Sequence, residues 1–152
     1  MKREWLLPDP DATAALGQAL AATRPERAVV FLHGELGAGK STLARACLRA
    51  LGVAGAIKSP TYALVERYAI AGGEAAHLDL YRLAAAAELD FLGLDELAAE
   101  ATLWLVEWPE RGAGSLPPPD LSLALAADGA GRRAVLESGS PAGEAWLARL
   151  PY

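Results

Sequence analysis

Residues 34–41 read GELGAGKS, which fits the spacing G-x-x-x-x-G-K-[ST] and lies between two segments of opposite periodicity. Before it, AVVFLH (residues 28–33) is a continuous apolar run of strand length, rich in β-branched and aromatic residues. Such a run is expected for a strand buried on both faces of a parallel sheet. After it, residues 40–51 set Leu43, Cys47, Leu48 and Leu51 on one helical face, and Gly52 ends the helix. Strand, glycine-rich turn and helix in that order suit one task. The glycines let the backbone curl into a nest of inward N–H groups, and the helix start adds its own unpaired N–H groups and positive dipole end. A phosphate chain is the natural occupant. Lys40 is expected to reach the β- and γ-phosphates and the Ser41 hydroxyl to ligate Mg²⁺.

The rest of the chain supports an α/β fold. Residues 3–7 predict a short strand, Asp11 a helix cap, and residues 13–22 a helix with Leu16 and Leu20 inward. A possible strand at 63–70 turns at Gly72-Gly73 into a partner at 75–80, residues 84–99 are helical with a break near Gly93, and TLWLVE (102–107) is a second buried strand. Residues 121–127 and 132–137 form a hairpin, and Ser140-Pro141 opens a last helix to about Leu150. The expectation is a single-domain P-loop NTPase spanning residues 1–152, with a mixed, mainly parallel central sheet flanked by helices.

Composition narrows the partners. The formal charge is −5 at a pI near 5.0, so a strong direct nucleic-acid surface is not expected. One cysteine, Cys47, rules out an internal disulfide, and it falls within an apolar helical pattern. Residues 1–10 carry no apolar run after a basic start, and no stretch approaches the length of a membrane span, so a cytoplasmic protein is expected.

The sequence contains no Asn, so the N-K-x-D reader of guanine cannot exist and ATP is the expected nucleotide. Glu107 ends the apolar run 103–106, the usual setting of the acid that faces a P-loop metal ion. Asp79, within HLDLYR (77–82), ends another strand candidate, and Thr61 lies in the loop after the helix. His77 alternates with apolar neighbours, as a packed strand histidine does.

Taken in order, GELGAGKST (34–42), SPTY (59–62), HLDLYRL (77–83) and LVEWPER (105–111) closely resemble the TsaE family, also called YjeE. These are bacterial ATPases of tRNA threonylcarbamoyladenosine modification. The resemblance covers nearly the whole chain and rests on the S-P-T-[FY], H-x-D-x-Y-R and E-W-P trio rather than on the generic loop. It implies a weak ATPase that works with the TsaD and TsaB proteins, which modify adenosine 37 of tRNAs reading codons that begin with A. It implies no transfer chemistry of its own and only indirect contact with tRNA.

By the family pattern, Glu35, Leu36, Gly37, Ala38, Gly39, Lys40, Ser41 and Thr42 hold the phosphates of ATP or ADP, with Ser41 and Glu107 on Mg²⁺. Thr61 would act as a switch near the γ-phosphate, and Asp79 would orient the attacking water. Trp108 would lie beside the nucleotide, Thr13 near the adenine, and Arg133 near the nucleotide with Arg132 competing for that place. The family usually has Thr where Ser41 stands and often Asp where Glu35 stands, both changes that keep the relevant chemistry. Two other function classes are compatible with the loop: a small P-loop kinase, for which no Arg-rich lid segment is visible, and a nucleotide-gated scaffold that needs no turnover.

Overall fold

The computed structural model describes residues 1–58, 60 and 64–151. All seven strands share one sheet in the order β1-β7-β6-β2-β5-β4-β3. They are β1 (Lys2–Leu7), β2 (Ala28–His33), β3 (Val65–Ile70), β4 (Gly73–Asp79), β5 (Leu103–Glu107), β6 (Leu121–Asp128) and β7 (Gly131–Ser138). The central four, β6, β2, β5 and β4, run parallel, while β1, β7 and β3 join antiparallel at the flanks. The expected mixed sheet, parallel at its centre, is therefore the fold of the protein.

Helices cover both faces. Helices α1 (Pro10–Thr23), α2 (Lys40–Ala50) and α4 (Pro141–Arg149) flank the larger core, where Leu16, Leu20, Leu43, Leu48 and Trp146 meet Val30, Leu32, Leu105 and Leu123 from the sheet. Helix α3 (Leu94–Glu100) and a 3-10 segment over Ala86–Leu92 close the smaller core around Leu78, Leu89, Leu97 and Trp104. Burial of a leucine or tryptophan side chain stabilises the fold by about 1.5–3 kcal/mol, so these two clusters supply most of the driving force.

Two expectations are corrected and a third is refined. The cap of α1 is Asp9, whose backbone is extended and whose side chain accepts from Ala12 N at 2.8 Å. Asp11 lies in the first turn instead, because Pro10 is pre-set for the first helical position. The helical reading of residues 84–99 with a break near Gly93 holds, and the structure refines its type: a 3-10 stretch ends at Gly93, which sits in the left-handed region at φ 71°, and only then does α3 begin. The alanines there offer no spaced apolar face to hold α-helical winding. Strand β2 is not buried on both faces, since Val29 and Phe31 are half-buried on the side of the smaller core.

Asp120 ties the start of β6 to its surroundings. Its Oδ2 accepts from Val29 N at 2.8 Å and its Oδ1 from Ser140 Oγ at 2.7 Å, while Ser140 Oγ also caps Gly143 N. A β-carbon at Gly143 would lie 1.7 Å from the Asp120 carbonyl oxygen. Gly143→Ala is therefore expected to destabilise the protein by about 3 kcal/mol, the upper part of the usual overpacking range. Urea unfolding measures it; a loss below about 0.5 kcal/mol, the scale of a neutral surface change, would mean that α4 is free to move off β6.

Candidate functional site

The site grows from the end of β2. After His33 the chain leaves the sheet through Gly34, Gly37 and Gly39, with φ values of 146°, 79° and 109°. These backbone angles strain any residue with a β-carbon. At Gly34 there is also no room, since a β-carbon would fall 2.5 Å from the Leu125 carbonyl oxygen. Ala38 N donates to Glu35 O at 3.1 Å, closing the turn, and α2 starts at Lys40 with Gly39 in the cap position. No side chain occupies that cap, so the first N–H groups of α2 face the concave side of the loop without a side-chain partner.

Parallel register brings the two acids to the same end of the sheet. Glu107 pairs with Leu32 of β2 on one side and with Asp79 of β4 on the other. Carboxylates that are distant in sequence thus stand on adjacent strand ends, next to the loop, where open α/β sheets place their ligands. Both are buried. Glu107 Oε2 lies 2.6 Å from His77 Nε2, and Asp79 Oδ1 accepts from Tyr81 N at 3.1 Å.

Lys40 is buried against this acidic end. Its ammonium donates to Gly34 O and sits 3.9 Å from the centre of the Trp108 ring. Desolvation pulls its pKa below the ordinary lysine value, while Glu107, Asp79, Glu110 and Glu35 push it back up. A phosphate would supply the strong anionic partner that a carbonyl and a ring face supply only weakly. Trp108 holds a left-handed backbone at φ 57°, unusual for a bulky residue, and its ring packs on Tyr81 at 4.9 Å between centres. Arg111 lies over both rings, 5.2 Å from Tyr81 and 6.0 Å from Trp108.

Two clefts open on the loop. One of about 590 Å³ runs over Gly34, Glu35 and Leu36 towards Trp108, Glu110 and Arg132. A smaller one of about 150 Å³ lies on the α1 side, between Thr13, Gly39, Thr42 and Arg132. Thr13, expected near the adenine, borders this second cleft and is itself buried.

Arg133 is not at the loop. Its guanidinium bonds Glu4 and Asp128, whereas Arg132 donates to Ala38 O at 3.0 Å and Gly37 O at 3.1 Å. Neighbours on a strand point to opposite faces, and the β6–β7 register puts Arg132 on the loop side. Thr61, with Ser59 and Tyr62 of the same motif, lies outside the described residues. The His77–Glu107 contact and the Lys40–Trp108 stack are geometry the sequence did not announce. Alternation within HLD did put His77 on the face of Asp79, and that was the available signal.

The donor set suits Mg²⁺. Among the described residues no group of three His, Cys, Asp or Glu side chains could enclose a metal alone. Mg²⁺ takes one or two protein oxygens and fills its remaining positions with water and phosphate oxygens. Ser41 at the start of α2 and the Glu107 oxygen not engaged by His77 could provide those protein oxygens.

Comparison with known proteins follows the same lines. A family model described as Threonylcarbamoyl adenosine biosynthesis protein TsaE matches residues 7–135. The chain is 50% identical over 97 residues to the tRNA threonylcarbamoyladenosine biosynthesis protein TsaE of Haemophilus influenzae, a match covering 63% of this chain and 61% of that protein. To the protein of the same name from Bacillus subtilis it is 31% identical over 122 residues, 80% of this chain and 76% of the other. The crystal structure of Bacillus subtilis YdiB superposes with a TM-score of 0.82 at 26% identity, covering 99% of this chain and 94% of that one. With the family model spanning most of its length and these relatives sharing its sequence, the chain belongs to the TsaE family.

Proposed function

We propose that this protein binds ATP with Mg²⁺, hydrolyses it slowly, and thereby supports the threonylcarbamoyladenosine modification of tRNA, acting on a TsaD–TsaB complex so that it can turn over repeatedly. The observation that carries the reading is the placement of Glu107 and Asp79 in register beside the Gly34–Thr42 loop, around a desolvated Lys40. A loop that only bound an anion would not need two buried acids at its mouth. A phosphoryl-transfer site does, one for the ion and one for the water.

In this reading the backbone from Glu35 to Thr42 and the ammonium of Lys40 hold the β- and γ-phosphates. Ser41 and Glu107 hold Mg²⁺, which when bound neutralises charge on the phosphate oxygens. Asp79 orients the attacking water, and Thr61 is assigned the part of a switch-like residue for the γ-phosphate. Thr13 borders the cleft that takes the adenine side, and Trp108 flanks the phosphates. Arg132 replaces Arg133 as the arginine next to the nucleotide.

The acidic balance of the chain, −5 overall, favours contact with protein partners over direct contact with tRNA. No helix among the described residues is long and apolar enough to cross a membrane, and the work is assigned to the cytoplasm, with residues 1–152 acting as one unit.

The test is ATP hydrolysis by the purified chain, alone and with TsaD and TsaB, with modified adenosine in tRNA followed in the same tube. Slow hydrolysis alone and multiple-turnover modification only when the chain is added are expected. Brisk phosphate transfer to a small acceptor without those partners would replace this reading with a kinase.

A further inference from the structure

A buried polar contact between side chains of adjacent strands lies one layer beneath the strand ends. On β4, Ala75, His77 and Asp79 alternate onto one face, and on β5, Leu103, Leu105 and Glu107 do the same. Ala75, Leu103 and Leu105 belong to the larger core, so this is the face that carries α2 and the loop. His77 pairs in register with Leu105, which leaves its ring one step below Glu107 and on the neighbouring strand. The side chains of His77 and Glu107 are only 1% and 4% exposed, and Nε2 lies 2.6 Å from Oε2.

A carboxylate can only accept, so Nε2 carries the proton and donates. The other ring nitrogen, Nδ1, is buried and has no hydrogen-bond partner among the described residues. The ring therefore spends all its polar contact on Glu107. An apolar side chain would fill the same space without leaving a buried nitrogen unpaired, so packing alone does not account for histidine here. What histidine adds is a fixed direction for the carboxylate: Oε2 is held from below, which leaves the second oxygen as the one available to a ligand.

We propose that His77 is a positioning residue whose Nε2–H clamps Glu107 so that its other oxygen meets the magnesium ion of the bound nucleotide. The proposal rests on the reading of Glu107 as a ligand of that ion, and it adds a residue to which that reading gave no part. Hydrogen-bonding partners behind a metal ligand raise metal affinity by fixing the ligand's orientation.

The test measures ATP affinity by calorimetry, in Mg²⁺ and in EDTA, for the parent, His77→Gln, His77→Asn and Glu107→Gln. A glutamine amide nitrogen reaches the place of Nε2, whereas that of asparagine stops near Nδ1. His77→Asn is expected to lose about tenfold of its affinity in Mg²⁺ while staying within about twofold of the parent in EDTA. His77→Gln is expected to keep most of the magnesium-dependent gain. Equal losses for Gln and Asn, or losses shared by the Mg²⁺ and EDTA series, would make His77 a structural residue and overturn the proposal.

The control separates the two ways of failing. If Glu107→Gln leaves the magnesium gain intact, the metal role of Glu107 falls and the clamp falls with it. If Glu107→Gln removes the gain and a folded His77→Asn retains it, the clamp alone fails. Should His77→Asn not fold, as judged by thermal unfolding, His77→Gln decides: a parent-like magnesium gain supports the clamp, and its loss in the folded variant overturns it.

Discussion

Lys40→Ala is expected to weaken ATP binding by about 1.5–3 kcal/mol, roughly ten- to a hundredfold, the range for a charge-assisted hydrogen bond. The expectation follows from where the ammonium sits before any nucleotide arrives. It is buried, donates to the Gly34 carbonyl and lies over the Trp108 ring, partners that are weak for a full positive charge. Desolvation lowers its pKa despite the surrounding acids, so without a phosphate the charged form is poorly compensated. A phosphate chain reverses that balance, and the ammonium gains anionic partners without losing any further water. Much of the interaction is therefore expressed in binding and little in folding. Thermal unfolding of the nucleotide-free variant should stay close to that of the parent while calorimetric ATP affinity collapses. An unchanged affinity in a folded Lys40→Ala protein would remove the Gly34–Thr42 loop from the nucleotide site.

The strand, loop and helix around that lysine could be read directly, because glycine spacing, an apolar run and helical periodicity are local signals. The same holds for the Ser140 cap and for the hairpin of β6 and β7, whose turn the structure places between Asp128 and Gly131. What was not legible depends on register. Arg132 and Arg133 are chemically identical neighbours, and only the pairing of β7 with β6 decides which one meets the loop carbonyls. The His77–Glu107 contact joins residues thirty positions apart through a parallel pairing that no local pattern encodes. The error at the start of α1 has a different origin. Asp9 and Asp11 both suit a cap, and the choice fell to Pro10, whose fixed φ suits the first helical position and so leaves the cap to the residue before it. The break near Gly93 was legible, but the winding before it was not: Ala86–Leu92 forms a 3-10 stretch whose Leu89 is buried in the smaller core.

Asp79→Asn should separate binding from turnover. Asp79 stands one strand further from the loop than Glu107, since β5 lies between β2 and β4. An ion held from the loop side would thus meet Glu107 first, leaving Asp79 for the water that attacks the γ-phosphate. Asparagine keeps the shape and the acceptor oxygen that bonds Tyr81 N at 3.1 Å, so the strand end is expected to stay folded. It also removes a negative charge that repels the phosphates but helps to keep Lys40 charged, so the two effects on nucleotide affinity offset each other. What it loses is the basic oxygen able to orient or accept a proton from water, a role worth about a hundredfold or more in rate. The expected result is ATP affinity within about threefold of the parent, measured by calorimetry, with phosphate release slowed by about a hundredfold or more. Hydrolysis at the parent rate would return Asp79 to the part of a strand terminus that caps Tyr81. A joint loss of affinity and rate would point instead to Asp79 sharing the metal ion with Glu107, since a group that acts only on water cannot weaken the bound state it acts upon.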